Sequence, residues 1–141
     1  MNHIFVDTDI ILDVVTGRLP HSLEASSLFT LMEEGQIKSS ASSLSFSNIN
    51  YVLRKFATHQ KVISNLKVLS ELLHILSVDE SMIKRALQSG FKDFEDAIQY
   101  QTALSNPDID VIITRNIKDY KEAELPVMSP ETFLKSYLLT S

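Results

Sequence analysis

The chain has 141 residues, a net charge of −5, 44% hydrophobic and 22% charged residues, and no cysteine. That length suits one domain, residues 1–141, able to bury a full core, while the lack of cysteine excludes a disulfide framework and thiolate chemistry. No apolar run approaches the ~20 residues of a bilayer span and no signal-peptide layout opens the chain, so a cytoplasmic protein without a membrane partner is expected. The acidic balance argues against coating nucleic acid by bulk charge but does not exclude a nuclease, because an acidic site that collects divalent metal contributes negative charge of its own.

His3 to Val6 is too short for a helix and unbroken by charge, the pattern of a parallel strand covered on both faces. At Asp7 the pattern turns helical, with Ile10, Ile11, Val14 and Val15 on one side. A carboxylate at the carboxyl end of a buried strand stands where open α/β sheets bind ligands, which makes Asp7 the first candidate. Asp9 reads equally as the cap of the helix that Ile10 begins, and Asp13 as a solvated helix residue. Arg18 to His21 breaks the chain, and Ser22 is a candidate cap for a helix carrying Ala25, Leu28, Phe29 and Met32 that Gly35 ends.

Residues 36–42 form a short polar strand through Ile37 and Ala41. Phe46, Ile49, Leu53 and Phe56 then mark an amphipathic helix, broken near Thr58 and followed by another through Val62, Leu66, Leu69 and Leu73. His74–Val78 reads as a short buried strand, and Asp79 caps a helix with Met82, Ile83, Ala86 and Leu87 that Gly90 closes. Asp93 opens a helix through Phe94, Ala97, Ile98 and Leu104, halted at Asn106-Pro107. Asp110–Thr114 is the clearest strand, and residues 126–128 suit a last edge strand. Ser129-Pro130-Glu131 starts a final helix that buries Phe133, Leu134, Tyr137 and Leu138. Strands separated by helices give an α/β fold, with a central, mostly parallel sheet of four or five strands flanked by helices.

Polar groups gather at three places: Asp7 after the first strand, Arg115, Asn116 and Asp119 after the Val111–Thr114 strand, and Asp93 with Asp96 on one helix face. Glu95 is expected to point about 100° away. Acids in the first turn of a helix are also what its dipole favours, so Asp93 and Asp96 become a metal site only in combination with Asp7. Clustered carboxylates need a cation or shared protons, and their hard oxygens suit Mg²⁺ or Mn²⁺ rather than zinc. The histidines at 3, 21, 59 and 74 lack metal-ligand spacing.

Val6-Asp7-Thr8-Asp9-Ile10-Ile11-Leu12-Asp13 resembles the opening of a PIN domain, Phe94-Glu95-Asp96-Ala97-Ile98 resembles the Asp-Ala-Leu-Ile helix of that family, and Ile113 to Tyr120 resembles its Thr-Arg-Asp-x-x-Asp-Phe segment. The likeness runs from about Ile4 to Leu134. It implies a metal-dependent ribonuclease, in many small bacterial members a toxin of the VapC type that is restrained by an antitoxin and forms a homodimer. By this resemblance Asp7 and Asp96 match two metal-binding acids, whereas Asn48 and Asn116 stand where the family usually has acids. An amide oxygen can ligate a cation but adds no charge, so weaker metal binding is implied, with Asp93, Asp119 or Asp9 compensating. Thr8 or Thr114 would orient water, Arg115 would contact phosphate, and Arg54, Lys55, Lys61 and Lys67 would guide RNA.

Two readings compete. The strand followed by Asp-x-Asp also resembles haloacid-dehalogenase-type phosphatases, with Asp7 as nucleophile and Asp9 as general acid–base. Alternatively the two amides leave a PIN-like domain that binds RNA or a protein without cutting. A receiver domain is disfavoured because Arg115 stands where such domains use lysine.

Overall fold

A computed structural model describes residues 3–120 and 123–140. The elements in chain order are β1 (His3–Val6), α1 (Thr8–Thr16), α2 (His21–Glu33), β2 (Lys38–Ser42), α3 (Ser43–Leu53), α4 (His59–Leu72), β3 (His74–Leu76), α5 (Glu80–Gln88), α6 (Phe94–Leu104), β4 (Val111–Ile113), β5 (Val127–Met128) and α7 (Pro130–Thr140). A 3₁₀ turn at Ile117–Tyr120 lies between β4 and β5. The five strands form one sheet in the order β3-β2-β1-β4-β5, with every pairing parallel.

The strand order reverses between β1 and β4. Connections leave β1 in one direction toward β2 and β3, and β4 continues to β5 in the other, so the loops after β1 and β4 part and leave a crevice at their carboxyl ends. Register brings the two tips level: Val6 pairs with Ile113, and the Asp7 amide donates to the Ile113 carbonyl at 3.0 Å. Sequence patterning set this up, because β1 and β4 are apolar on both faces. Ile4, Val6, Val111 and Ile113 enter the larger core with Ile10, Leu28 and Phe133. Phe5 and Ile112 point the other way, toward Tyr100, Ala103 and Tyr120.

Helix ends follow their local chemistry. Thr58, Asp79, Asp93 and Ser129 each accept a hydrogen bond from a backbone N–H of the first turn that follows. Gly35, at φ +72°, ends α2: its N–H reaches the Met32 carbonyl while that of Gln36 reaches Leu31.

Several expectations change. Ser22 does not cap α2; the helix begins one residue earlier after Pro20, and Ser22 is buried. Phe56 is 79% exposed because α3 stops at Leu53, and Leu87, Phe94 and Leu138 also face outward. The expected buried strand at His74 is the sheet's edge, so His74 and Ile75 are exposed. His3 is buried, as expected for the first strand, with its Nε2 2.7 Å from the Ser40 hydroxyl. That contact lets a serine-rich β2 lie buried beside β1 without an unsatisfied hydroxyl at Ser40.

Candidate active site

Asp7 sits where β1 becomes α1. It adopts φ −73° and ψ 159°, and Oδ1 accepts from the Thr8 amide at 2.7 Å, so Asp7 rather than Asp9 caps the helix. Its other oxygen accepts from the Thr114 hydroxyl, at 3.0 Å, and from the Tyr120 hydroxyl, also at 3.0 Å. One carboxylate thus ties together the ends of β1 and β4 and the 3₁₀ turn. Burial pushes the Asp7 carboxyl above the usual range, and these three hydrogen bonds oppose the rise.

Asp9 lies in the first turn of α1, turned toward the β4 loop. Its Oδ2 accepts from the backbone N–H of Arg115 at 3.1 Å and from the Asn116 side-chain amide at 3.4 Å. Its Oδ1 is buried with no hydrogen-bond partner among the described residues. Burial, followed by the nearby Asp7 charge, raises Asp9 to about 6.

The start of α6 supplies the third side. Asp93 caps the helix by accepting from the Asp96 amide at 2.9 Å. Asp96 rises to about 7, chiefly by desolvation and then by repulsion from Asp7, Asp93, Asp119 and Glu95. Glu95 accepts a hydrogen bond from the Asn48 side-chain amide of α3, and burial raises its carboxyl as well.

These groups enclose a cavity of about 260 Å³ lined by Asp7, Asp9, Asp93, Glu95, Asp96 and Asp119, with Thr8, Leu12 and Asn116. Among the described residues its wall holds six carboxylates and no lysine or arginine. Glu95 lines the cavity, correcting the expectation that it points away: the Asn48 side-chain amide of α3 bonds it at this side, while Phe94, expected on the buried side, is exposed. The donor set fits a hard divalent cation, since all donors are oxygen and their mutual repulsion is what a cation relieves. Among the described residues no three acidic or histidine side chains yet converge on one point, so closing around an ion requires side-chain rotation.

Of the residues singled out from sequence, Asp7, Thr8, Asp9, Asp93, Asp96, Asn116 and Asp119 line this cavity. Asn48 stands behind Glu95. Thr114 is fully buried and donates to Asp7 rather than facing water. The Thr8 hydroxyl is engaged at 2.8 Å by Ser45 and at 3.1 Å by the amide of Gln99, which also reaches Ser45 at 2.9 Å. Arg115 turns away from the acids: its Nε and Nη2 donate to the Asp13 carboxylate at 2.7 and 3.2 Å. Asp13 is buried, not solvated as expected, and Arg18 approaches it at 3.7 Å. Lys61 lies with Arg18 and Phe56 along another groove, and Lys55 stacks on Tyr51, so neither lines the acidic cavity. Arg54 and Lys67 are exposed and also lie outside it.

Sequence reasoning misses Tyr120, Gln99 and the Asp13–Arg115 pair. For the pair the available signal was helical spacing, since Asp13 follows Ile10 by three residues and so falls on the stripe that α1 buries. For Gln99 it was the position three residues after Asp96 and directly after Ile98, on a helix start already suspected of facing the core.

A family model described as PIN domain matches residues 3–118. No significant match occurs among curated proteins. Solved structures with the same fold include VapBC-1 from nontypeable Haemophilus influenzae, with TM-score 0.68, 17% identity, and coverage of 92% of this chain and 98% of that one. A toxin–antitoxin complex from Klebsiella pneumoniae gives TM-score 0.66 and 24% identity over 90% of this chain and 97% of that one. VapC20 of Mycobacterium tuberculosis, described as a sarcin–ricin-loop-cleaving toxin, gives TM-score 0.65 and 14% identity over 84% and 95%. The haloacid-dehalogenase reading finds no support among these comparisons. A family match over most of the chain, and a sheet that places Asp7 and the α6 acids at one crevice, identify the chain as a member of the PIN domain family.

Proposed function

We propose that this chain is a metal-dependent ribonuclease acting as the toxin of a toxin–antitoxin pair. The observation that carries the reading is the cavity of six carboxylates at the switch point, unbalanced by any basic side chain among the described residues of its wall. Toxin–antitoxin complexes among the structures of like fold support the toxin role and an antitoxin partner. A cytoplasmic location and a homodimer belong to the same reading; no helix among the described residues is long and apolar enough to cross a membrane.

Mg²⁺ or Mn²⁺ bound here would activate water and neutralise charge developing on the scissile phosphate. Asp7 and Asp96 would hold the ion, with Asp93, Asp119 and Glu95 as further oxygen donors. Thr114 and Tyr120 fix the Asp7 carboxylate, leaving it little rotational freedom when a ligand arrives. Asn116 holds Asp9 and Asn48 holds Glu95, so both amides act through a neighbouring acid. In this arrangement Glu95 brings from α6 the carboxylate that the family usually carries on α3.

The test is calorimetric titration of Mn²⁺ into the wild type, Asp7→Asn and Asp96→Asn, followed by RNA cleavage with and without metal. Each variant is expected to weaken metal binding by at least about 10-fold, since even an outer partner of a metal site is worth that much. Cleavage should require metal and be lost in both variants. Metal binding without any cleavage would favour the second reading, a domain that binds RNA or protein without cutting, which the two amide-held acids support.

A further inference from the structure

Arg115 stands between two cavities. Its backbone N–H holds Asp9 of the acidic site at 3.1 Å, while its guanidinium enters a neighbouring cavity of about 390 Å³. Asp13, one helical turn beyond Asp9 on α1, takes the Nε and Nη2 donors on one edge of the guanidinium. A guanidinium carries five N–H donors, so the Nη1/Nη2 edge remains, with no partner among the described residues and the side chain 29% exposed. Besides Arg115 and Asp13, the cavity walls carry Glu24, Glu131, His21 and Ser129, with Pro20 and Pro130. The Glu24 side chain makes no ion pair or hydrogen bond among the described residues. Glu131 pairs with exposed Lys135.

This chemistry is wrong for a phosphate. Asp13 already neutralises Arg115, and with Glu24 and Glu131 the wall sets three carboxylates against Arg115 and the His21 imidazole, an excess that repels an anion. It suits a neutral, flat ligand with two adjacent acceptors for the free arginine edge and adjacent donors for a carboxylate. Guanine has that pattern: O6 and N7 accept from arginine, and N1–H and N2–H₂ donate to an acid. The exposed Pro20 ring offers an apolar face for the base, and the volume lies within the range of small-ligand sites.

We infer that the cavity floored by Arg115 is a subsite for a guanine base of single-stranded RNA. The inference rests on the ribonuclease reading and adds a sequence preference to it. A nucleotide with its phosphate at the acids would direct a neighbouring base toward this cavity, because the Arg115 backbone N–H bonds Asp9 of the acidic site while Arg115 itself lines the second cavity. Arg115 then reads a base instead of contacting phosphate.

Isotope-labelled, metal-free protein is titrated with guanosine, adenosine, cytidine, uridine and inorganic phosphate, following the Arg115 Nε–H and the Glu24 and Glu131 amides by NMR. Guanosine is expected to shift all three and to bind most tightly. Glu24→Ala should weaken it about tenfold, the worth of one hydrogen bond to a charged group. Glu131→Ala, on the exposed start of α7, is a second variant should the first fail to fold. Phosphate shifting Arg115 while nucleosides do not, another nucleoside matching guanosine, or an unaltered guanosine affinity in the folded variants would overturn the inference. Mn²⁺ titration of the same wild-type sample is read separately. Loss of the metal response with guanosine binding intact sinks the nuclease, whereas metal-dependent cleavage without a guanosine response sinks the subsite alone.

Discussion

Asp96 and Asp9 are held in a state that works against the fold at neutral pH. Their carboxyls rise from 3.8 to about 7 and about 6, through burial first and neighbouring carboxylates second. A raised acid binds its proton more tightly when folded than when unfolded. The folded state is therefore favoured below the unfolded value, and that advantage is lost as pH rises through the folded one. The expected outcome is a metal-free Tm that falls between about pH 4 and pH 7. Thermal scans across that window, with and without Mn²⁺, check it. Saturating Mn²⁺ should restore stability at the alkaline end, by about 2.7 kcal/mol at about one hundred times its Kd. Asp96→Asn should raise the metal-free Tm at the alkaline end while weakening metal binding, which separates the cost of the site from its use. A Tm rising steadily with pH in the absence of metal would contradict this account.

Between elements, the Asp13–Arg115 pair, its carboxylate buried and its guanidinium partly exposed, joins α1 to the loop after β4, the two segments that carry Asp9 and Asn116. Removing one member strands the other in a partly desolvated place. Asp13→Ala is expected to destabilise by about 2 kcal/mol, read as a lower urea midpoint, because the arginine left behind stays partly hydrated. Asp13→Asn should cost less, because the amide still offers an oxygen to the guanidinium. A second tie links α1, α3 and α6 through the hydroxyls of Thr8 and Ser45 and the amide of Gln99. Replacing Gln99 by Leu leaves Thr8 and Ser45 bonded to each other and is expected to cost no more than about 1 kcal/mol. This tie keeps the α6 acids in register with β1, so the Gln99 variant is better judged by metal affinity than by Tm.

Across the whole molecule, the sheet order decides what meets what. Asp7 and Thr114 stand 107 residues apart in the chain, yet the in-register pairing of β1 with β4 brings them into hydrogen-bond contact, with Tyr120 beside them. Large apolar side chains remain exposed at Leu19, Leu23, Tyr51 and Phe56, among others. Sedimentation equilibrium at high micromolar protein is expected to give twice the chain mass, in keeping with the proposed homodimer. A monomer mass throughout would remove that part of the proposal without touching the acidic site.

Local patterning is enough for the strands at Ile4 and Ile112, for the caps at Asp79, Asp93 and Ser129, and for expecting Asp7 and Asp96 near one another, where both line the acidic cavity. Each of these depends on residues within one or two turns, where periodicity and hydrogen-bonding side chains act directly. The three quoted motifs carry the family, because they mark the ends of the elements that meet at the crevice. Tertiary structure alone decides the rest. Asp13 passes for a solvated helix residue until β4 brings Arg115 against it, and Glu95 for an outward one until α3 places Asn48 beside it. Arg115 and Thr114 stand next to the expected site in sequence, but one faces a second cavity and the other supports Asp7 from below. Side-chain direction at a strand tip depends on which distant element packs there, and no local pattern encodes that choice.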